Sequence, residues 1–408
     1  MGTAKARHRC SPLKLHANPW RVLDAVRAKG EASRAQLVND TGLSWASVAK
    51  MVSELLERGL LLQQNTAREG KAGPEAGILR INPGAGYLLG IEIGATLIEA
   101  RLLDFAFRPV EHPDLTPMPT GRGASSIRNN IRSFVSAALD RVSEKPLLGL
   151  GLSWPGAVDP ERGMTRAAPS LGLRDIELSL DDMLTADSAE QVQNISVRID
   201  HDAVCAALAE QHLGSTSGRS RREQQSLIVL LEAGVGLGLV LNGEAHRGAN
   251  NAGGAFGHIR VNPASEITCQ CGQTGCLDEE ISARAIVRKA GERKIVADGA
   301  EVTIHDLVAI AESGSDEAQA LFADVGYWLG LGLSYYVTVL NPAAIVISGS
   351  VAHAYDLFYL KLRETLEEHS WRYALRDLRI ERSRLGTDAV AFGAAISAYQ
   401  RLAITAPV

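Results

Sequence analysis

From residue 87 onward, apolar runs of strand length alternate with helical patterns, and this alternation constrains the fold more than any other feature of the chain. The runs occupy residues 87–96, 147–153, 195–200 and 226–232, with a shorter one at 238–241. Between the first two runs, apolar residues recur at helical spacing. Strands that alternate with helices predict an α/β body, and its length allows two lobes with a cleft between them.

The first 82 residues instead contain short helices with strong end signals. Asn18 and Pro19 open a first helix and Gly30 ends it, while Ser33 and Gln36 form a capping box for a second helix. A third helix follows a glycine-containing turn and carries an apolar stripe, formed by Val48, Met51, Val52, Leu55 and Leu56. Two such helices joined by a tight turn predict a helix-turn-helix.

In a helix-turn-helix, the start of the later helix faces the major groove of DNA. We therefore predict DNA contacts from Ser44, Trp45, Ala46, Ser47 and Lys50. Two strands at 60–62 and 77–81 surround a polar tip and predict a wing, whose Arg68 and Lys71 contact phosphate or the minor groove. A three-helix module that binds protein is the alternative.

The charge is distributed unevenly along the chain. Residues 1–82 hold 13 Lys/Arg and 7 Asp/Glu, a net charge of +6, whereas the remaining 29 Lys/Arg and 40 Asp/Glu give −11. A basic head on an acidic body is typical of a nucleic-acid-binding unit carried by another domain. A basic surface that is merely solvated explains the charge alone equally well.

A histidine and three cysteines form the clearest candidate metal site. His258, Cys269, Cys271 and Cys276 follow the spacing G-H-x10-C-x-C-G-x2-G-C. One imidazole and three thiolates match closed tetrahedral ligation of Zn²⁺, and the intervening glycines permit a tight knuckle. Free thiols or a redox site are the alternatives, although three cysteines leave one unpaired in any disulfide.

The glycine-rich stretch at 233–238 and the acidic residue Asp202 are weaker signals. Backbone N–H groups of a glycine loop bind phosphate well, but close packing explains such glycines at least as often. An acidic residue at the start of a helix is usually a cap. We predict no catalytic residue, and Asp202 is only a vestigial base candidate.

Taken in order, these pieces resemble the ROK family, which groups repressors, open reading frames and sugar kinases. The resemblance implies a winged helix-turn-helix over residues 1–82 and a two-lobed, actin-like ATPase body of sugar-kinase type. It implies a first lobe over 83–200, a second lobe with the zinc site over 201–385, and a C-terminal helix over 386–408 that returns to the first lobe. Its ligand cleft falls on Ser170, His201, Asp202, His258 and Asp278.

The departures from the family's kinases indicate lost catalysis. The resemblance implies Asp at the position of Glu92, a polar residue at Leu97 and Thr at Ala233, groups that handle phosphates or magnesium. Phosphoryl transfer depends almost entirely on positioning and electrostatics, so these changes predict an inactive site. In the sugar cleft, Ala255 and Ser170 replace a Glu and an Asn, which indicates a changed specificity.

We therefore expect a cytoplasmic repressor of carbohydrate or related catabolic genes, with structural Zn²⁺ and a small polar effector such as a sugar or sugar derivative. It would bind a palindromic operator as a homodimer or tetramer. No apolar segment follows the basic start, and the long apolar run at 325–355 is broken by Asn341 and Pro342, so we expect no secretory signal and no membrane span. The alternatives are control by a protein partner with a vestigial cleft, or an active sugar kinase.

Overall fold

The computed structural model describes residues 17–65, 77–121, 123–141, 145–173, 178–179, 195–217, 224–297 and 301–404. Four sheets and the helices around them form a small head and a two-lobed body. The predicted α/β class is confirmed.

The head consists of three helices and a three-stranded sheet. Its elements are α1 (Ala17–Lys29), β1 (Ala32–Ser33), α2 (Arg34–Thr41), α3 (Trp45–Glu57), β2 (Leu61–Asn65) and β3 (Gly77–Ile81). Ser33 caps α2 and forms the predicted capping box with Gln36. Gly42 ends α2 with a φ of 67°, which a residue without a side chain adopts most easily. The strands β2 and β3 form an antiparallel hairpin, and β3 also pairs with β1. Because β1 lies between α1 and α2, this pairing fixes the hairpin to the helices.

The first lobe is built on a six-stranded sheet. Its elements are β4 (Tyr87–Ile93), β5 (Leu97–Asp104), β6 (Pro109–Val110), β7 (Met118–Pro119), α4 (Ala124–Arg141), β8 (Leu147–Trp154), β9 (Ala157–Asp159), β10 (Met164–Ala167), β11 (Leu178–Ser179) and β12 (Ser196–His201). The order is β12-β8-β4-β5-β6, with β7 also on β5, and β9 to β11 form a separate small sheet. The strands β4, β8 and β12 are parallel, so their carboxyl ends meet at one edge.

The second lobe has a five-stranded sheet in the order β15-β14-β13-β16-β17. Its elements are α5 (Asp202–His212), β13 (Ser226–Leu231), β14 (Val235–Leu241), β15 (Glu244–His246), α6 (Asp278–Ile281), α7 (Ala283–Glu292), α8 (Ile304–Glu312), α9 (Asp316–Leu340), β16 (Ala344–Ser348), α10 (Tyr355–His369) and β17 (Arg379–Arg382). Asn242 and Gly243, with φ of 56° and 80°, make the hairpin turn between β14 and β15.

The last helix, α11 (Ala389–Ile404), lies on the first-lobe sheet and against α5. Glycines on the strands make this close approach possible. A Cβ at Gly90 would lie 1.8 Å from the carbonyl oxygen of Ala391, and one at Gly151 would lie 1.7 Å from that of Ala394. The interface therefore depends on the absence of side chains at these two strand positions.

The glycine-rich stretch at 233–238 differs from the expected loop. Gly236 and Gly238 lie within β14, and a Cβ at Gly238 would come within 2.3 Å of the Ala203 carbonyl oxygen. These two glycines thus allow β14 to pack closely on the start of α5. Only Ala233 and Gly234 remain in the turn that faces the cleft.

Apolar side chains form several buried clusters, and one of them joins the head to the body. It contains Val22 and Leu37 of the head together with Leu208 of α5 and Tyr399 of α11. The head is therefore packed against the body through a shared core. Among the described helices, none is both long and apolar enough to span a bilayer.

Candidate DNA interface, metal knuckle and ligand cleft

The start of α3 presents the side chains predicted to read DNA. Trp45 is 57% exposed, and Ser44, Ala46 and Lys50 are also exposed. Ser44 caps the helix by accepting from the Ser47 backbone N–H, and the two hydroxyls are 2.9 Å apart. Ser47 is half-buried, and its hydroxyl lies against that of the capping residue Ser44. Part of the residue remains accessible. DNA contacts by these residues stay predictions.

Several other basic residues of the head already have partners. Lys29 pairs with Asp40, Arg58 with Glu54, and Arg80 with Glu31, whereas the ion pairs among the described residues do not include Lys50. Among the described basic residues of the head, Lys50 therefore has the greatest freedom to contact a phosphate or a base. Arg68 and Lys71 at the predicted wing tip lie outside the described residues.

The metal-knuckle residues His258, Cys269, Cys271 and Cys276 converge on one point. Their ligand atoms all lie within 4.8 Å of one another. The Cys269 sulfur is 3.6 Å from His258 Nδ1, and the sulfurs of Cys271 and Cys276 are 3.6 Å apart. Tetrahedral zinc with ordinary bond lengths requires separations of about 3.6 Å between N and S and about 3.8 Å between two S atoms. The arrangement is compatible with structural zinc.

The local backbone explains why this knuckle closes. Gly272 and Gly275 have φ of 89° and 77°, in the left-handed region that favours glycine. Burial, followed by the neighbouring thiol of Cys271, raises the pKa of Cys276 to about 12. The raised pKa means that ionising this thiol is unfavourable. A bound divalent cation would offset the cost of ionisation because it binds the thiolate form.

The carboxyl ends of the parallel strands in the first lobe border a cleft of about 500 Å³ that the second lobe closes from the other side. All five residues predicted for the ligand cleft line it, namely Ser170, His201, Asp202, His258 and Asp278. His258 thus belongs to both the knuckle and the cleft wall. Their roles in ligand binding stay predictions.

Helix α5 begins at the cleft. His201 caps this helix, and the Asp202 carboxylate accepts from the Ala203 backbone N–H at 2.6 Å. Asp202 is therefore the first residue of the helix and not its cap, and its negative charge lies at the helix N-terminus, where it is favourable.

Three further carboxylates in the cleft were not predicted as ligand contacts from the sequence. Glu92, Glu99 and Glu232 line it together with Asp202 and Asp278. Burial, followed by the charges of Glu232, Glu99 and Asp202, raises the pKa of Glu92 well above its usual range. Glu232 accepts from the backbone N–H and the hydroxyl of Ser350 at 2.7 and 2.8 Å. The alternation of apolar and polar residues over 97–104 was an available signal for β5 and for Glu99.

A second cluster lies where the head meets the body. The Arg27 guanidinium lies 3.7 Å from the Phe107 ring centroid and 4.6 Å from that of Tyr399, and it donates to the Phe105 carbonyl at 2.7 Å. Phe107 also packs edge-on against His212 at the far end of α5. We call these five residues the junction cluster.

A single helix therefore connects the cleft with the junction cluster. Asp202 at the first turn of α5 lines the cleft, and His212 at its last turn packs on Phe107 beneath the head. A movement of α5 would reach the head directly, because the packed aromatic rings transmit displacement.

Two mixed sheets, a cleft at their strand ends and a helix between them define a body of the actin-like ATPase class, carrying a winged helix-turn-helix head. The profile of the ROK family matches residues 88–401, and the chain belongs to the ROK family. The resemblance noted from the sequence is confirmed.

Both a repressor and a sugar kinase are among the proteins that are similar to this chain. A xylose repressor from Caldicellulosiruptor bescii is 25% identical over 391 residues, which is 92% of this chain and 94% of the relative. A glucokinase from Halalkalibacterium halodurans is 29% identical over 321 residues, 75% of this chain and 93% of the enzyme. The crystal structure of a ROK family transcriptional regulator, a homologue of the E. coli MLC protein, has a TM-score of 0.77 at 23% identity and covers 95% of this chain and 96% of its own.

Proposed function

We propose that this protein is a sugar-responsive, DNA-binding repressor of carbohydrate or related catabolic genes. The observation that carries the proposal is a helix-turn-helix head joined by a shared apolar core to a body whose cleft is of sugar-kinase type. The match to the xylose repressor supports it, because it extends over 92% of the chain. A small polar ligand binds in the cleft and lowers the affinity of the head for its operator.

The cleft binds its ligand without phosphorylating it. Glu92 occupies the position where the family's kinases have Asp. Its Oε2 atom is buried and has no hydrogen-bond partner among the described residues. Leu97, which is 43% exposed, and Ala233 offer the cleft no polar group for a phosphate or magnesium. Because phosphoryl transfer depends on such groups, the site is a sensor.

Structural Zn²⁺ holds the knuckle together. The donor set of one imidazole and three sulfurs closes all four positions of a tetrahedral ion, so no position remains for a reacting water. The ion fixes the loop that carries His258 to the cleft wall. Its role is therefore to shape the ligand site.

The protein acts as a homodimer on a palindromic operator. Exposed apolar side chains support self-association: Tyr335 and Val339 of α9, and Trp371 and Tyr373 after α10, are exposed. The backbone N–H of Trp371 donates to the Thr338 hydroxyl of α9 at 3.1 Å. Val339 is 79% exposed. Exposed apolar groups of this kind mark interaction surfaces.

The first test is a mobility-shift titration of the full chain on the intergenic DNA beside its own gene. We expect tighter binding than to unrelated duplex at moderate salt. Lys50→Ala should weaken binding. It should also reduce the steepness of the plot of log binding constant against log salt concentration by about one, because one fewer phosphate contact releases one fewer counterion. Lys361→Ala, an exposed lysine of the second lobe, is the matched control. Equal affinity for any duplex would refute the proposal.

The second test asks whether the cleft has activity. ADP release is measured over a panel of sugars with wild type and with Asp202→Asn. The proposal predicts no difference between the two proteins. Turnover by wild type that the substitution abolishes would make the protein a sugar kinase.

A further inference from the structure

A second cavity lies between the head and the body, and it shares no lining residue with the ligand cleft. Its volume is about 400 Å³. The head contributes the end of α1 and the strands β2 and β3 to its wall, and the body contributes the turn between β5 and β6. We call this cavity the junction pocket. Cavities of this size commonly hold small molecules.

The charged side chains that line the junction pocket are all positive. Arg27 and Arg80 line it from the head and Arg108 lines it from the body, and none of the described lining residues is acidic. Glu31 pairs with Arg80 and offsets that charge. The ion pairs among the described residues include neither Arg27 nor Arg108. Two guanidinium groups, one from each unit, therefore lack a carboxylate partner.

Two carboxylates lie near these guanidinium groups, but neither of them lines the pocket. Asp24 accepts from the Tyr399 hydroxyl at 2.9 Å, and burial raises its pKa against smaller opposing effects of that hydroxyl and of the Arg27 charge. Asp104 accepts from the Arg108 backbone N–H at 2.9 Å. Both carboxylates thus have donors of their own, and the wall of the pocket keeps a positive charge.

Arg27 has fewer hydrogen bonds than a buried guanidinium normally forms. Its Nη1 atom donates to the Phe105 carbonyl, whereas its Nε and Nη2 atoms are buried and have no hydrogen-bond partner among the described residues. A buried charge without a counter-ion is costly. An anion held in the pocket would compensate this charge.

The turn that carries Arg108 has an unusual backbone conformation. Phe107 has a φ of 64°, in the left-handed region that a bulky side chain rarely adopts. This conformation buries the Phe107 ring against Arg27, while its neighbours Ala106 and Arg108 line the pocket. Strained backbone of this kind is common at ligand-binding sites.

Most of the remaining wall is apolar and is formed by Leu62, Ile81, Pro83 and Ala106. Guanidinium groups bind phosphate and carboxylate oxygens through paired, charge-assisted hydrogen bonds. We propose that the junction pocket binds a small organic anion, with its phosphate or carboxylate group at the arginines and its carbon skeleton against the apolar wall. A duplex is too wide to enter a cavity of this volume, which favours a small anion over DNA.

The proposed anion would act on the connection between the two units. Leu62 and Arg80 belong to the head and Arg108 belongs to the body, so a ligand that contacts all three holds the head to the body. A ligand that binds only the joined arrangement stabilises it. The site would give the protein a second input, separate from the ligand cleft.

The test titrates three aromatic probes calorimetrically into the full chain at neutral pH and low ionic strength, without DNA. Phenyl phosphate and isophthalate carry the two candidate anionic groups on the same apolar ring, and phenol is the uncharged counterpart. Arg108→Gln removes a positive charge on the body side of the pocket, and Leu62→Glu adds a negative charge on the head side, both at exposed positions. The control is Arg162→Gln, because the Arg162 side chain is 76% exposed and does not line the pocket.

We expect an anionic probe to bind wild type and the control equally, and phenol not to bind measurably. Arg108→Gln should weaken that binding by about tenfold or more, because it removes a hydrogen bond between charged groups. Leu62→Glu should weaken it by a similar factor, because the new carboxylate repels the probe and competes for the arginines. Raised salt should also weaken binding by screening. The tighter of the two anionic probes identifies the ligand as a phosphate or a carboxylate.

Several results would overturn the inference. These are wild type that binds neither anion, phenol that binds as tightly as phenyl phosphate, and anion binding that Arg108→Gln and Leu62→Glu leave at the level of the control. Loss of duplex binding in Arg108→Gln, without any anion binding by wild type, would assign the arginines to DNA instead. If one variant does not fold, the other carries the test, since they alter opposite sides of the pocket. Because the titrations contain no DNA, a failure of operator binding would leave them readable.

Discussion

Arg27 joins the head to the body, and replacing it measures the strength of that connection. Its guanidinium lies over the rings of Phe107 and Tyr399 and donates to the Phe105 carbonyl. A hydrogen bond from a charged group contributes about 1.5–3 kcal/mol, and a cation–π contact contributes about 0.5–2 kcal/mol. We therefore expect Arg27→Ala to lower the free energy of unfolding by about 2–5 kcal/mol. Arg27→Lys keeps the charge but loses the planar stacking on the rings. Its free energy of unfolding should therefore lie between those of wild type and Arg27→Ala.

The assay is urea unfolding together with hydrogen exchange of α1. Arg27→Ala should reduce the protection of α1 more than that of the sheets, because the contacts it removes all join the head to the body. Arg80→Ala is the matched control: it removes the same charge from the same head, from a pair with Glu31 in which both side chains are exposed. That change should cost less than about 1 kcal/mol. If the two variants were equally stable, the junction cluster would not connect head and body as described.

Three further changes test the junction, the metal knuckle and the close packing of α11. Burial, followed by the Arg27 charge, lowers the pKa of His212 to about 4, so the folded protein binds fewer protons there than the unfolded chain. The stability from neutral His212 is present above about pH 6.5 and lost towards pH 4, up to about 3 kcal/mol, and His212→Gln should flatten that part of the pH profile of urea unfolding. Cys276→Ser should abolish zinc binding, whereas Cys10→Ser, the control outside the metal knuckle, should keep one zinc ion per chain. Elemental analysis of the purified proteins measures both. Equal zinc contents in the two variants would contradict the ligand set. Gly90→Ala should lower the free energy of unfolding by at least about 3 kcal/mol because the new Cβ overlaps α11. Gly291→Ala is the control and should be neutral or stabilising, because open space surrounds Gly291. A tolerated Gly90→Ala would show that α11 can move away from the strand.

Features with local signals could be predicted from the sequence. The capping box of Ser33 and Gln36 follows from neighbouring residues alone. The convergence of the metal-knuckle residues also follows from short spacing, since a loop of that length with two glycines has few ways to close. These elements needed no knowledge of the rest of the chain.

Features made by distant segments could not be predicted in the same way. The junction cluster joins Arg27, Phe107, His212 and Tyr399, which are far apart in the sequence and have no shared pattern. Likewise, Gly90 within an apolar strand indicates only a weak strand position until α11 is seen against it. Both depend on tertiary packing, which overrides local preference.

The most direct test of the central claim, a DNA-reading head governed by a sensor body, is footprinting of the purified full chain on its own genomic DNA. The account predicts a few discrete, palindromic sites beside genes of sugar metabolism, protected more weakly by Lys50→Ala. Even protection across the genome, or sites without two-fold symmetry, would contradict it.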